Sequence, residues 1–154
     1  MSLLSAEVAH WAERSVLCWL ASVDTAGQPN VSPKEIYVVF DETHIVIANI
    51  ASPRSVTNIA RSPKVCVSFI DIFTQKGLKV FGTAQNVEKE DAGFDRWVTP
   101  LREKAGPRFP IHSVIVVTAT AVVQIVAPSY RLFPEQVTEQ GMADDARRIY
   151  GVAG

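Results

Sequence analysis

The stretch Ser52-Pro53-Arg54-Ser55-Val56-Thr57-Asn58 directly follows the strand-like run His44-Ile45-Val46-Ile47-Ala48-Asn49-Ile50. Ser52 is a suitable N-cap residue, because its hydroxyl can accept a hydrogen bond from a free N–H of the first helical turn. Pro53 suits the first helical position, where its missing N–H is not needed. The stretch therefore predicts a strand that leads straight into a short helix over residues 53–61.

Arg54 is an unusual residue for the start of a helix. A cation there opposes the helix dipole, at a cost of roughly 0.3–1 kcal/mol. An anion between the two removes that cost, and the free backbone amides, the Ser55 hydroxyl and the Arg54 guanidinium would then converge on one phosphate. Asn58 follows Arg54 by four residues and could face the same ligand. The alternative interpretation is a solvated arginine on a surface helix.

Length and charge narrow the class of protein. A chain of 154 residues fits one domain over residues 1–154. Its 15 basic and 16 acidic residues give a net charge of −1, which does not favour nucleic-acid binding. The first residues lack the pattern of a signal peptide, and no apolar run reaches membrane-spanning length. We expect a cytoplasmic protein with no membrane or nucleic-acid partner.

The reactive residue types form no recognised motif. Cys18 and Cys66 both lie in apolar runs, which indicates buried reduced thiols. Neither has a partner at metal-ligand spacing and the three histidines are scattered, so we expect no metal site. The sequence motifs of α/β-hydrolases, P-loop proteins, zinc proteases and Rossmann dehydrogenases are absent as well. These classes are not favoured.

Periodicity and turn residues predict a β-rich chain. The predicted strands cover residues 15–23, 30–40, 44–50, 64–71, 79–84 and 111–126. The predicted helices cover residues 4–14, 53–61, 88–104 and 142–149. Short strands joined by turns, with helices inserted between them, are typical of antiparallel barrels. The fold prediction is a mainly β protein with a six-stranded antiparallel barrel.

Lys34 is the second unusual residue. It follows Ser32 and Pro33 inside an otherwise apolar strand, where a proline indicates an interrupted ladder or an edge strand. Backbone groups left unpaired near Pro33 could bond a planar heterocycle. The alternative is a lysine at the barrel rim with its ammonium group in water. Asn49 and Asn58 have the same two interpretations, ligand contact or ordinary polar residue.

A third stretch, residues 76–79, also allows a ligand to approach the backbone. Gly77 lies within it and lacks a side chain, so a ligand could come close beside Leu78.

Five segments follow one another along the chain: Gly27-Gln28-Pro29-Asn30-Val31-Ser32-Pro33-Lys34, Ile47-Ala48-Asn49-Ile50, Ser52-Pro53-Arg54-Ser55 with Asn58-Ile59, Pro63-Lys64-Val65-Cys66-Val67-Ser68, and Val80-Phe81-Gly82-Thr83-Ala84. Taken in this order, they resemble the pyridoxamine 5′-phosphate oxidase-related family of FMN-binding split β-barrels. The resemblance covers about residues 12–88. It implies a split barrel that binds FMN.

The resemblance also implies where the flavin would bind. The phosphate would lie at the start of the helix after the third strand, at Arg54 and Ser55. The ring would lie along the second strand and be bordered by the next strand and a hairpin. The residues implied for these ring contacts are Ser32, Pro33, Lys34, Ala48, Asn49, Gly77 and Leu78. Members of the family are usually homodimers with two flavins at the subunit interface, so a homodimer is implied here.

Departures from the family pattern imply a substrate other than pyridoxamine phosphate. The oxidases proper carry an arginine early in the second strand and a second basic residue after the phosphate-site arginine. Here Asn30 or Ser32 takes the first place and Ser55 the second. The C-terminal Arg and Trp motif is not evident in residues 129–133. The expectation is an FMN-dependent oxidoreductase acting on an unidentified small molecule.

In such a protein the flavin performs the redox chemistry. The polypeptide positions the flavin and sets its redox potential. Lys34 is the candidate cation near N1 and the C2 carbonyl, where it would stabilise the anionic reduced flavin. The alternative function is a non-catalytic protein that binds or carries flavin, deazaflavin or haem.

Overall fold

The computed structural model describes residues 2–153. In this range the chain forms five helices and one seven-stranded antiparallel sheet. The helices are α1 (Ala6–Arg14), α2 (Pro53–Arg61), α3 (Phe94–Ala105), α4 (Ser129–Leu132) and α5 (Glu139–Tyr150). The strands are β1 (Cys18–Val23), β2 (Pro29–Lys34), β3 (Tyr37–Val39), β4 (His44–Asn49), β5 (Lys64–Asp71), β6 (Lys76–Glu88) and β7 (Ser113–Val126).

The strand order in the sheet is β2-β1-β5-β6-β7-β4-β3. The sheet curls into a half-barrel, which confirms the predicted mainly β, antiparallel split barrel. The two edge strands, β2 and β3, are neighbours in the chain and are joined only by Glu35 and Ile36. Because of this link, the chain passes from one edge of the sheet to the other within two residues.

The strand predicted over residues 30–40 is therefore two strands, and the barrel has seven strands rather than six. The last pair of β2 with β1 is Lys34 opposite Cys18, whereas β3 begins with Tyr37 opposite Ile47 of β4. β1 and β4 are not adjacent in the sheet, so one straight strand could not pair with both. Pro33, which has no N–H to donate, lies in an edge strand, as its presence predicts.

The predicted helix over residues 88–104 begins later than expected. β6 continues to Glu88, which is opposite Ser113 of β7, and α3 begins only after Gly93. Gly93 has a φ of 86°, a left-handed conformation that favours glycine. The acidic residues near position 90 form a turn instead, in which the Glu88 N–H donates to Asp91 at 2.7 Å. Aspartate favours such a turn, because its carboxylate readily accepts a hydrogen bond from a nearby backbone N–H.

Two hydrophobic clusters hold the elements together. One lies between the sheet, α1 and α2, and the other lies between α3 and the strands β4 and β7. Cys18 belongs to the first cluster and is fully buried, and burial raises the pKa of its thiol to about 12. Cys66 is only half-buried, so the prediction of a buried thiol is confirmed for Cys18 alone.

No helix in residues 2–153 combines the length and apolar character needed to cross a membrane.

Candidate functional site

A cleft of about 270 Å³ opens at the place where the chain crosses between the two sheet edges. Its walls come from the end of β2, the link to β3, the end of β4 with the residues before α2, and the loop between α3 and β7. The lining residues are Ser32, Pro33, Lys34, Glu35, Ile36, Ala48, Ile50, Ala51, Ser52 and Phe109. Four of the predicted site residues, Ser32, Pro33, Lys34 and Ala48, are thus brought together.

Lys34 is buried in the wall of this cleft. Its exposed fraction is 5%, and its ammonium group donates a hydrogen bond to the hydroxyl of Ser52. Within residues 2–153 no carboxylate forms an ion pair with it. Burial lowers the pKa of Lys34, because removing water disfavours the charged form. The alternative interpretation of a rim lysine with its head in water is therefore wrong.

A chain of hydrogen bonds behind the cleft holds Ser52 in place. Its backbone N–H donates to Asn49 Oδ1 at 3.1 Å, and Asn49 Nδ2 donates to Ser113 Oγ at 2.8 Å. Ser113 in turn donates to Asn86 at 2.7 Å. The oxygen and the nitrogen of the Asn49 amide thus both make hydrogen bonds within the protein, and Asn49 does not line the cleft.

The Ser52 side chain does not cap α2. It makes no hydrogen bond to an N–H of the helix and accepts from Lys34 instead, so the predicted capping role is wrong. A buried ammonium group needs a hydrogen-bond acceptor, whereas water can serve the N–H groups at a helix end. The Ser52 hydroxyl therefore stabilises the fold more as the acceptor for Lys34. The predicted helix over residues 53–61 is confirmed, with Pro53 at its start.

Of the three predicted site residues in α2, one is exposed and two are buried. Arg54 is exposed and makes no ion pair with any described residue. Ser55 is 1% exposed, and Asn58 is 5% exposed with its amide donating to Ser22 Oγ at 3.0 Å. Asn58 therefore joins the helix to β1, and only Arg54 offers its side chain to a ligand on the surface.

Gly77 and Leu78 lie away from the cleft, in β6 between β5 and β7. Leu78 is 1% exposed and belongs to the hydrophobic core. A Cβ at Gly77 would lie 2.0 Å from the backbone oxygen of Phe69. The space that the glycine leaves is thus taken by the neighbouring strand β5.

Sequence reasoning missed part of the lining. Ile50 and Ala51 directly follow the predicted Asn49 and could have been included as its chain neighbours. Phe109 comes from the loop between α3 and β7, far away in the sequence. A phenylalanine near two prolines was a visible signal, but only the tertiary fold brings it to the cleft.

The lining of the cleft combines apolar and polar side chains. Small-molecule sites are mostly apolar with a few placed polar groups, and this cleft combines apolar side chains with one ammonium group, one carboxylate and two serine hydroxyls. Among residues 2–153, no three His, Cys, Asp or Glu side chains are grouped as a metal ion would need.

Several solved structures have the same fold. A candidate pyridoxamine 5′-phosphate oxidase from Lactobacillus delbrueckii is 25% identical, with a TM-score of 0.67 over 80% of this chain and 95% of that chain. An FMN-binding protein from Syntrophomonas wolfei is 16% identical, with a TM-score of 0.68 over 81% and 87%. The haem storage protein HutZ from Vibrio cholerae is 22% identical, with a TM-score of 0.61 over 80% and 94%.

Sequence comparison identifies the family. None of the curated proteins has a significant sequence match to this chain. The family model described as pyridoxamine 5′-phosphate oxidase matches residues 4–126, which is most of the chain and includes every residue that lines the cleft. The chain belongs to the pyridoxamine 5′-phosphate oxidase family.

Proposed function

We propose that the chain binds FMN in the cleft between β2 and the start of α2 and works as an FMN-dependent oxidoreductase. The observation that carries the proposal is the buried ammonium group of Lys34 in the cleft wall, oriented by Ser52. Family membership and the shared fold of an FMN-binding protein support it. The departures at Asn30, Ser32 and Ser55 argue for a substrate other than pyridoxamine phosphate.

Each part of the site has a separate task in this proposal. When bound, the flavin supplies the hydride and electron transfer. Ser32 and Pro33 lie along its ring, and Lys34 holds a positive charge beside N1 and the C2 carbonyl. Arg54, exposed in the first turn of α2, binds the phosphate together with the free N–H groups of that turn.

The proposal includes a homodimer. The outer face of the sheet carries large exposed side chains, with Trp19 41%, Val31 57% and Phe81 38% exposed. The strand register places Val31, Ala21, Cys66 and Phe81 in one row across β2, β1, β5 and β6. Exposed apolar surface of this kind marks an interface.

A second copy of the chain is the occupant that we propose for this face. Pro33 belongs to the cleft lining and is also the partner of Trp19 in the β1–β2 register. The apolar face and the cleft are thus continuous, and a partner subunit seated on the face would complete the flavin site.

Flavin carriage without catalysis is a second candidate function. Among the residues that line the cleft, only Lys34 and Glu35 can titrate, so the cleft offers few groups for acid–base chemistry. The flavin would then bind in the same cleft, but the protein would catalyse no reaction with it.

The decisive experiment is an absorbance spectrum of the purified protein, followed by mass analysis of the compound released on denaturation. Paired near-ultraviolet and blue bands with released FMN are the expected result. Catalytic reduction of the bound flavin by a compound in a donor screen, with nicotinamide nucleotides among the donors, would then show an enzyme rather than a carrier. A colourless protein that does not take up added FMN would refute the proposal. Deazaflavin and haem would then be tested as the ligand.

A further inference from the structure

Phe109 is a half-exposed aromatic residue in the lining of the cleft. Its exposed fraction is 49%, and it lines the cleft together with residues of β2 and of the segment before α2. It is not one of the buried residues that form the two hydrophobic clusters. About half of its surface therefore stays open to a ligand.

The loop that carries Phe109 is held at both ends. Gly106 N–H donates to Arg102 O at 2.9 Å at the end of α3, and His112 N–H donates to Asn49 O at 3.0 Å at the end of β4. Pro107 and Pro110 restrict the backbone between these bonds. The aromatic side chain is thus presented to the cleft by a backbone with little freedom, which lowers the entropic cost of binding.

We infer that Phe109 stacks on the planar ring of the ligand in the cleft and is a positioning residue for the flavin. The inference rests on the proposed function. Phe109 lines the cleft whereas Arg54 does not, and the proposal assigns the two residues to different ends of the ligand. Phe109 stacks on the ring, and Arg54 binds the phosphate.

The experiment measures the dissociation constants of FMN and riboflavin for the wild type and Phe109→Leu by the change in flavin fluorescence. Leucine keeps most of the apolar surface but cannot stack, so we expect both ligands to bind roughly 2- to 12-fold more weakly. Phe109→Tyr should keep the wild-type affinities. In Phe109→Trp the bound flavin should fluoresce less, because a stacked indole quenches the isoalloxazine by donating an electron.

Phe133→Leu is the matched control. Phe133 is 52% exposed, similar to Phe109, and does not line the cleft, so its replacement should change neither affinity. If Phe109→Leu keeps wild-type affinity for both flavins, the inference is overturned while FMN binding stands. If Phe109→Leu sediments as a smaller species than the wild type, Phe109 belongs to a subunit contact and the inference is equally overturned. A wild type that binds no FMN refutes the proposed function itself.

Discussion

The ammonium group of Lys34, at the end of β2, donates a hydrogen bond to the hydroxyl of Ser52, the residue before α2. An ammonium group has three N–H bonds to donate, and Ser52 is its one hydrogen-bond acceptor among the described residues. A buried charge with unused donors is costly unless another acceptor is supplied. A carbonyl or ring nitrogen of a ligand in the cleft would supply it.

Replacing Lys34 by methionine should lower the midpoint potential of bound FMN. The lost cation would otherwise stabilise the anionic reduced flavin through a charge-assisted hydrogen bond of about 1.5–3 kcal/mol, which corresponds to roughly 30–60 mV for a two-electron couple. The measurement is an anaerobic redox titration against a reference dye. An unchanged potential would show that Lys34 does not contact the reducible part of the ring.

Lys89→Met is the control for that titration. Lys89 is exposed and does not line the cleft, but its replacement removes the same formal charge from the chain. We expect its potential to equal that of the wild type. An equal fall in both variants would mean that the net charge of the protein, rather than the Lys34 contact, sets the potential.

The same buried lysine should make stability depend on pH in the alkaline range. Burial lowers the pKa of Lys34 from its ordinary 10.5, so between the folded and unfolded values the unfolded chain binds more protons. The free energy of unfolding of the wild type should therefore rise with pH in that window, relative to Lys34→Met. Urea denaturation of both apoproteins from pH 7 to pH 10.5 measures the difference. A difference that stays constant over this range would contradict the assignment.

Most of the fold was predictable because its elements carry local signals. The helix α2 was predicted from Pro53 and the preceding strand, and β4 and β5 were predicted from short apolar runs between turns. The break between β2 and β3 was not predicted, because residues 30–40 are apolar enough for one strand. Only the pairing partners, Cys18 for Lys34 and Ile47 for Tyr37, reveal that the chain changes sheet edge there.

The site was predictable only in part, because side-chain direction depends on packing. Residue type alone could not show that Asn58 turns inward to Ser22 while Arg54 stays exposed. The close approach of β5 requires a glycine at position 77, and the residue type alone did not reveal this contact. Phe109 reaches the cleft through a contact that is distant in sequence, which no local pattern encodes.

Replacing Arg54 by alanine should weaken the binding of FMN far more than that of riboflavin. A charge-assisted contact to the phosphate contributes about 1.5–3 kcal/mol, which is roughly 10- to 150-fold in the dissociation constant. Riboflavin lacks the phosphate and should bind Arg54→Ala almost as it binds the wild type. Fluorescence titrations with the two flavins make the comparison. Equal losses for both ligands would remove Arg54 from the phosphate site.

Arg61→Ala provides the control within the same helix. Arg61 is exposed in the last turn of α2, at the end opposite to Arg54. It is too far along the helix to reach a phosphate at the first turn, since each residue adds about 1.5 Å. Its replacement should leave the ratio of FMN to riboflavin affinity unchanged.

Gly77→Ala should destabilise the fold. The new Cβ would meet the Phe69 backbone oxygen at 2.0 Å, so β5 and β6 would have to separate. Overpacking of this kind costs roughly 1–3 kcal/mol, measurable as a lower urea midpoint. Gly141→Ala in α5 meets only the Thr138 side chain, at 3.2 Å, and should have a smaller effect. Unchanged stability in Gly77→Ala would contradict the close approach of the two strands.

Phe81→Asp should convert the proposed homodimer into monomers. Phe81 is 38% exposed and stands in the apolar row with Cys66 on the outer face of the sheet. A carboxylate there would lose its water on association without gaining a partner, which disfavours the dimer. Sedimentation measures the change, and weaker FMN binding should accompany it, because the partner would no longer complete the site. Leu132→Asp is the control, since Leu132 is 68% exposed in α4 and outside that row. If Phe81→Asp stays dimeric, or the wild type sediments as a monomer, this face of the sheet is not the subunit interface.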